Sequence, residues 1–358
     1  MEYKPIVDEA ISMCNSKPQL CVVLQREPVV ASLIAGRDIE WEAFLHNAAP
    51  APCLPLDSND FLYVLYTSGT TGDPKGIVRD NAGHCVALKW TMDAIYNVDD
   101  DSIYWAASDI GWVVGHSYIV YAPLFRGITS VMYDGKPVGT PDPGAFWRVI
   151  EQHGVNVMFT APTAFRALRK EDPTAKFLQK YDVSSMKALY LAGERSDPDT
   201  VQWIKQVIGE RHGSEAHVFD HYWQTETGWT VAGPCPGYNG GFHNAKTKLG
   251  SCNAPVPGYE VHAMNEACDA PHPNPDHSGE DVYPLAVKLP LPPGTFATLY
   301  GNKQRFVDSY ISEDKQWYKL GDAGYFDEEG FMYVMTRTDD IINVSGHRLA
   351  TSQMEEVV

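Results

Sequence analysis

The sequence predicts an α/β fold: a largely parallel sheet with helices on both faces, plus a smaller β-rich subdomain. Three observations predict it. Between Phe61 and about Tyr222, short apolar runs alternate with segments of helical periodicity, the pattern of successive βαβ units. Several of those runs empty directly into polar loops, and a parallel sheet takes its ligands at the carboxyl ends of its strands. Beyond residue 281, strand-like runs follow one another.

Residues 1–60 read as a peripheral segment without chemistry. Ile6, Ala10, Ile11 and Met13 suggest a short amphipathic helix, 20–24 a buried strand and 49–55 a Pro/Ala connector. In the core, 61–250, strand-like runs fall at 61–66, 103–107, 129–133, 155–160, 187–191 and 216–219, with helices between them. Asp142 is expected to cap a helix that has Pro143 at its first position, Phe146, Val149 and Ile150 on one face and Gly154 as its stop. Pro198 opens another, with Val201, Ile204 and Ile208 inward. Residues 265–281 lack periodicity and read as a loop. Its Cys268, His272 and His277 are interrupted by prolines and have no fourth partner, which argues against a metal. In the β-rich subdomain, 251–338, strands are expected at 283–289, 295–300, 317–320 and 331–335, with a turn over 327–330. Residues 339–358 read as a hinge and the start of a further domain. Ser352 to Glu355 is a capping box, and Met354, Val357 and Val358 begin an apolar face that a helix of about seven residues could not stabilise alone.

Composition bounds the function. With 358 residues, 44% apolar and 21% charged, the chain has material for a sizeable core. A formal charge of -18 argues against nucleic acid, which needs a basic footprint. The same field repels nucleotides, so binding one requires local cations and backbone N–H groups. No apolar run of about 18 residues is present, so no membrane span is expected. Nor does an apolar h-region follow Met1 to Pro5, which argues against a secretory signal. Seven scattered cysteines without a C-x-x-C pair read as free thiols in a reducing compartment.

The stretch with the strongest chemical content is Tyr66-Thr67-Ser68-Gly69-Thr70-Thr71-Gly72-Asp73-Pro74-Lys75-Gly76. An apolar run enters a turn with three glycines, three threonines, a serine and a lysine. Glycines let the backbone approach an anion and aim N–H groups at it, hydroxyls add donors and Lys75 adds charge. A Walker A loop is excluded, because that pattern needs Gly-Lys-Ser/Thr opening a helix, and here Pro74 precedes the lysine and Gly76 follows it. Two further polar stretches follow strand-like runs: Gly193-Glu194-Arg195, and Asp220-His221-Tyr222-Trp223-Gln224-Thr225-Glu226. Together they supply a flat aromatic face, carboxylates and a hydroxyl.

The motif T-S-G-T-T-G-D-P-K-G resembles the signature of the adenylate-forming acyl-CoA synthetases, and similar matches run along the whole chain. The resemblance implies the large-domain fold of that family, with ATP, Mg²⁺ and CoA as co-substrates. It implies that Thr67 to Gly72 and Lys75 hold the β- and γ-phosphates. Gly193 to Arg195 and Asp220 to Tyr222 would contact adenine, Trp223 and Gln224 would belong to the ATP site, Thr225 would bond the α-phosphate and Glu226 would hold Mg²⁺. Asp322 would accept the ribose hydroxyls, and Arg337 would contact the nucleotide. Asp339 would be a hinge, Ser345 would lie near CoA and Arg348 near phosphate. Lys75, Thr225, Glu226 and Arg337 are the residues expected to act in catalysis.

Trp112, Val113, Val114, Ala192 and Trp223 resemble the acyl pocket of the short-chain branch. Trp223 leaves room for a few carbons, while Ala192 and Val114 resemble propionate-type rather than acetate-type members, as does the stretch Gly135 to Asp142. The chain is therefore identified as similar to propionyl-CoA synthetases. The expected reaction joins propionate and ATP into propionyl-AMP and pyrophosphate, then passes the acyl group to CoA. Alternatives are an acetate ligase and a non-catalytic nucleotide-binding fragment. Family members carry further residues on both sides of the matched region, so impaired catalysis by this chain alone is expected. The compartment would be the mitochondrial matrix if a transit peptide lies upstream, otherwise the cytoplasm.

Overall fold

A computed structural model describes residues 2–27, 29–67, 73–212, 217–279, 281–340, 342–344 and 347–349. The chain divides into two units, Met1–Pro55 and Leu56–Val358. In the first, an amphipathic helix forms at Tyr3–Met13, and Cys21–Val23 pairs in parallel with Asp38–Glu40. Lys4 ties the helix to the second strand, with its Nζ 2.7 Å from Asp8 and 2.8 Å from Asp38. Among the described residues no helix is long and apolar enough to cross a membrane.

The second unit is built on a five-stranded parallel sheet. Its strands are Thr129–Ser130, Ile103–Ala107, Val157–Thr160, Ala188–Leu191 and His217–Asp220, in that spatial order. Side chains alternate across it with period two and feed two separate cores. Trp105, Met158, Leu189 and Val218 point to one face, where Phe146, Ile150, Phe165 and Ile204 from three helices cover them. Tyr104, Phe159, Tyr190 and Phe219 point to the other, against Leu88 and Met92 of the helix Asn81–Ala94 and against Tyr118. Helices on both faces, expected from the alternation, are observed.

The helix expected to start at Pro143 runs instead over Ala145–His153. The Asp142 carboxylate accepts the Gly144 N–H at 2.8 Å, closing a turn just ahead of the helix, which Gly154 ends at φ 63°. Pro198 does open its helix, Pro198–His212, and Asp197 caps it by accepting the Thr200 N–H at 2.8 Å.

Two strands belong elsewhere than expected. Phe61–Thr67 is not part of the parallel sheet. It pairs antiparallel with Lys75–Asp80, which pairs in turn with Thr298–Leu299. Phe61–Thr67 and Lys75–Asp80 are thus the two arms of a hairpin, with Thr67 opposite Lys75 at its mouth. The 298–299 strand, expected in the β-rich subdomain, completes this three-stranded sheet.

The β-rich subdomain is a four-stranded antiparallel sheet of Val261–Ala263, Tyr283–Lys288, Trp317–Phe326 and Met332–Arg337. Its last turn is closed by Asp327, whose backbone N–H donates to Phe331 and whose carboxylate accepts from Glu329 and Phe331. The third strand runs past its expected end at 320. Where it faces Pro284 to Ala286, the register slips over 319–323, and Gly321 adopts φ 73°. This is a bulge, and it carries Asp322.

Candidate active site

The bulge sets Asp322 directly across from Arg337 on the neighbouring strand, so the pair meets by register. Arg337 Nη1 lies 3.3 Å from Asp322 Oδ1, and its Nε lies 3.5 Å from Asp339. The other carboxylate oxygen of Asp322 accepts a short bond from the Tyr222 hydroxyl and one of 2.5 Å from Gln224 Nε2. Gln224 also donates to Leu320 O at 2.7 Å. Asp322 is buried, and desolvation raises its pKa above the ordinary carboxylate value against the pull of Tyr222, Arg337 and Gln224.

Tyr222 follows the last strand of the parallel sheet. Its backbone N–H donates to Ala232 O at 2.8 Å, folding 222–232 back on itself. Glu226, in the same turn, accepts the Tyr310 hydroxyl at 2.9 Å, and Tyr310 accepts Lys75 Nζ at 3.1 Å. The Lys75 ammonium also lies 4.8 Å above the Tyr310 ring. Burial lowers the Lys75 pKa despite the nearby Glu226 carboxylate.

Tyr222, Gln224, Glu226, Asp322 and Arg337 line one cavity of about 350 Å³, together with Gly193 to Arg195, Asp220, His221 and Trp223. Gly250, Cys252, Val334, Met335 and Thr336 complete its wall, and Gly250 leaves the space that the Arg195 guanidinium occupies. Lys75 stands outside the wall and joins it through Tyr310. A larger cavity of about 940 Å³ lies by the 265–281 loop. Glu266, Asp276, Asp281, Asp327, Glu328 and Glu329 line it, and its Lys248 is paired with Asp327 and Glu329. That wall repels polyphosphate.

Two residues expected to contact adenine have side chains engaged elsewhere. The His221 ring is buried, with Nδ1 2.9 Å from Leu191 O and Nε2 3.0 Å from the Tyr96 hydroxyl. The carbonyl requires Nδ1–H, so Nε2 accepts from Tyr96, and burial pulls the pKa down to about 4. The Glu194 carboxylate accepts the Thr163 N–H at 2.6 Å and pairs with Arg166 at 2.6 Å. Burial pushes Asp220 up to about 7.

Of the residues expected to form an acyl pocket, Val114 and Ala192 are buried in the core that holds Tyr118 and Phe159, and Trp223 packs on both rings, 5.1 Å from Tyr118 edge-on. Val113 is half-buried, and Trp112 is 69% exposed. Thr225 is half-buried beside Glu226, and Asp339 is exposed. Ser68, Gly69, Thr70, Thr71, Gly72 and Ser345 lie outside the described residues, as does the side chain of Arg348. Sequence reasoning missed Tyr310, for which no signal existed, and Arg79, a charge breaking the apolar run after the phosphate loop.

Known proteins resemble the chain in sequence and in fold. Residues 5–282 match the family model described as AMP-binding enzyme. An uncharacterized protein of Pseudomonas aeruginosa is 48% identical over 358 residues, which are 100% of this chain and 54% of that one. The mitochondrial acyl-CoA synthetase short-chain family member 3 of Rattus norvegicus is 44% identical over 363 residues, 100% of this chain and 50% of that one. Propionate–CoA ligase of Escherichia coli is 41% identical over 359 residues, covering 99% and 54% respectively. The chain thus spans about half the length of the curated relatives it matches. The solved acetoacetyl-CoA synthetase from Streptomyces lividans superposes with a TM-score of 0.83 at 22% identity, over 100% of this chain and 51% of that one, a likeness of fold.

Proposed function

The chain belongs to the AMP-binding enzyme family, and from that premise we propose that its cleft serves an AMP-forming short-chain acid–CoA ligase that prefers propionate. One observation carries this reading: Asp322, Tyr222, Gln224, Arg337 and Glu226 converge on a single cavity, to which Tyr310 ties Lys75. At about 350 Å³ the cavity falls at the small end of the usual range for ligand sites, suited to a nucleoside with its phosphates leading out.

In this reading the Tyr222 ring stacks on adenine, and Asp220 with the 193–195 backbone faces its edge. Asp322 accepts the ribose hydroxyls, exchanging its internal donors for them. Arg337 and Lys75 neutralise phosphate oxygens, with the 67–72 loop supplying N–H and hydroxyl donors. A propionate oxygen attacks the α-phosphorus, the bond to the bridging oxygen breaks and pyrophosphate leaves. The CoA thiol then attacks the acyl carbonyl, and AMP departs. The protein contributes alignment and preorganised charge rather than covalent chemistry.

The groups at Glu226 are oxygens, its own carboxylate and the hydroxyl of Tyr310. That set suits Mg²⁺, which takes most of its shell from phosphates and water. Glu226 would hold the ion, which when bound neutralises phosphate charge. The acid is selected by Trp223, Val114 and Ala192. A methylene in such a pocket discriminates by roughly 1–3 kcal/mol, so propionate is preferred rather than exclusive.

Titration calorimetry with ATP and with AMP alkyl esters, which mimic the acyl adenylate, tests this without requiring turnover. ATP is expected to bind, and the propyl ester to bind at least about fivefold tighter than the ethyl or pentyl ester. Absence of ATP binding refutes the nucleotide site. A tighter ethyl or pentyl ester refutes the propionate preference.

A further inference from the structure

Arg79 is the next-to-last residue of the strand Lys75–Asp80, and its side chain is wholly buried. Among the described residues it has no carboxylate partner. Its guanidinium is instead wrapped by backbone carbonyls. Nη1 donates to Glu226 O at 3.0 Å, Thr227 O at 3.3 Å and Gly294 O at 2.8 Å, and Nη2 donates to Thr225 O at 2.5 Å. Nε reaches the Tyr63 hydroxyl at 3.4 Å. A buried charge without a counter-ion persists only if its donors are satisfied, and here the planar fork is matched by acceptors on the 225–227 turn and by Gly294.

The turn is shaped to this cation. Gly228, at φ 74°, lies so close that a Cβ there would stand 2.4 Å from Arg79 Cζ. Glu226 O is shared with the Phe296 N–H at 3.0 Å, and the Gly228 N–H closes on Gln224 O at 2.9 Å. The strand leaving the phosphate loop thus grips the turn that presents Thr225 and Glu226. Lys75 begins that strand, four residues before Arg79.

We propose that Arg79 is a positioning residue that fixes the Thr225–Glu226 turn relative to Lys75, so that metal-bound nucleotide meets a preset arrangement. The proposal rests on the nucleotide-site reading above and adds a residue to it. Arg79 acts through the backbone and touches no substrate. Lysine at this position keeps the charge but cannot span the same acceptors.

Two measurements on the full chain test it. Amide hydrogen exchange in the wild type is expected to show Gly228 and Phe296 exchanging as one unit with the 75–80 strand. In Arg79→Lys their protection should fall at least about tenfold, while 103–107 and 188–191 keep theirs. ATP affinity in the presence of Mg²⁺ should fall at least about tenfold in that variant, and without Mg²⁺ less than about threefold. Gly228→Ala, which displaces the guanidinium from the other side, should give the same signature. Independent exchange of the turn in the wild type overturns the proposal and needs no variant to fold. Unchanged turn protection in a folded Arg79→Lys, or equal losses with and without Mg²⁺, also overturns it. A wild-type chain that binds no ATP refutes the nucleotide reading instead, and the exchange result still decides whether Arg79 holds the turn.

Discussion

Asp322→Asn separates a ribose-binding role from a structural one. The carboxylate carries three internal donors, from Tyr222, Gln224 and Arg337. A ribose replaces two of them with its hydroxyls, in charge-assisted bonds worth about 1.5–3 kcal/mol each. Asparagine keeps one acceptor oxygen and loses the charge, so ATP should bind about 2–3 kcal/mol more weakly, roughly 30- to 150-fold. Stability should barely change. Burial holds the Asp322 pKa above its ordinary value, so folding disfavours the charged form that the substitution removes. Titration calorimetry against ATP, paired with thermal denaturation, reads both quantities. The reasoning predicts the affinity loss with Tm shifted by less than about 4 °C. Unchanged affinity in a folded variant would refute it, since the ribose could not then rest on Asp322.

Other predictions follow from the same geometry. Ala192→Val narrows the pocket beside Trp223 and should shift preference toward the two-carbon AMP ester by about 1–2 kcal/mol. Unchanged relative affinities for the ethyl and propyl esters would remove Ala192 from the pocket. Tyr310→Phe keeps the ring against Phe296 and Tyr318 but deletes the hydroxyl between Lys75 and Glu226. MgATP binding should weaken about five- to tenfold with no loss of fold, and wild-type affinity would show that the hydroxyl is a bystander. His221→Asn tests a buried neutral imidazole. With the native pKa at about 4 and the unfolded one near 6.5, the unfolded chain binds a proton first as pH falls, so stability drops across that window by about 3 kcal/mol. The test is the difference between wild type and variant. His84, at about 3, adds to the same trend, whereas Asp220, raised to about 7, gains a proton in the native state and opposes it. Parallel stability curves from pH 7 to 4 would contradict the assignment.

The parallel sheet was legible because its strands, apart from the exposed Thr129–Ser130 edge, are short apolar runs with buried centres, and because polar loops follow them. The family match over 5–282 agrees with the resemblance read from the phosphate-loop motif. The hairpin was not legible. Lys75, Arg79 and Asp80 interrupt the apolar pattern of its second arm, and only pairing with 61–67 and 298–299 reveals a strand. The strand expected at 317–320 runs on to 326 because a bulge at Gly321 carries it through Asp322, and only the pairing with the neighbouring strands reveals that. Arg79 and Tyr310 escaped because their partners lie 147 and 84 residues away in sequence, at Glu226. His221 and Glu194 likewise bond partners remote in sequence, Tyr96 at 125 residues and Thr163 at 31, so composition presents them as free polar groups.

The most direct measurement is a crystal structure of the chain grown with AMP. The account predicts the nucleotide in the cavity of about 350 Å³, adenine against the Tyr222 ring and both ribose hydroxyls on Asp322. AMP in the carboxylate-lined cavity by the 265–281 loop, or bound without touching Asp322, would contradict it.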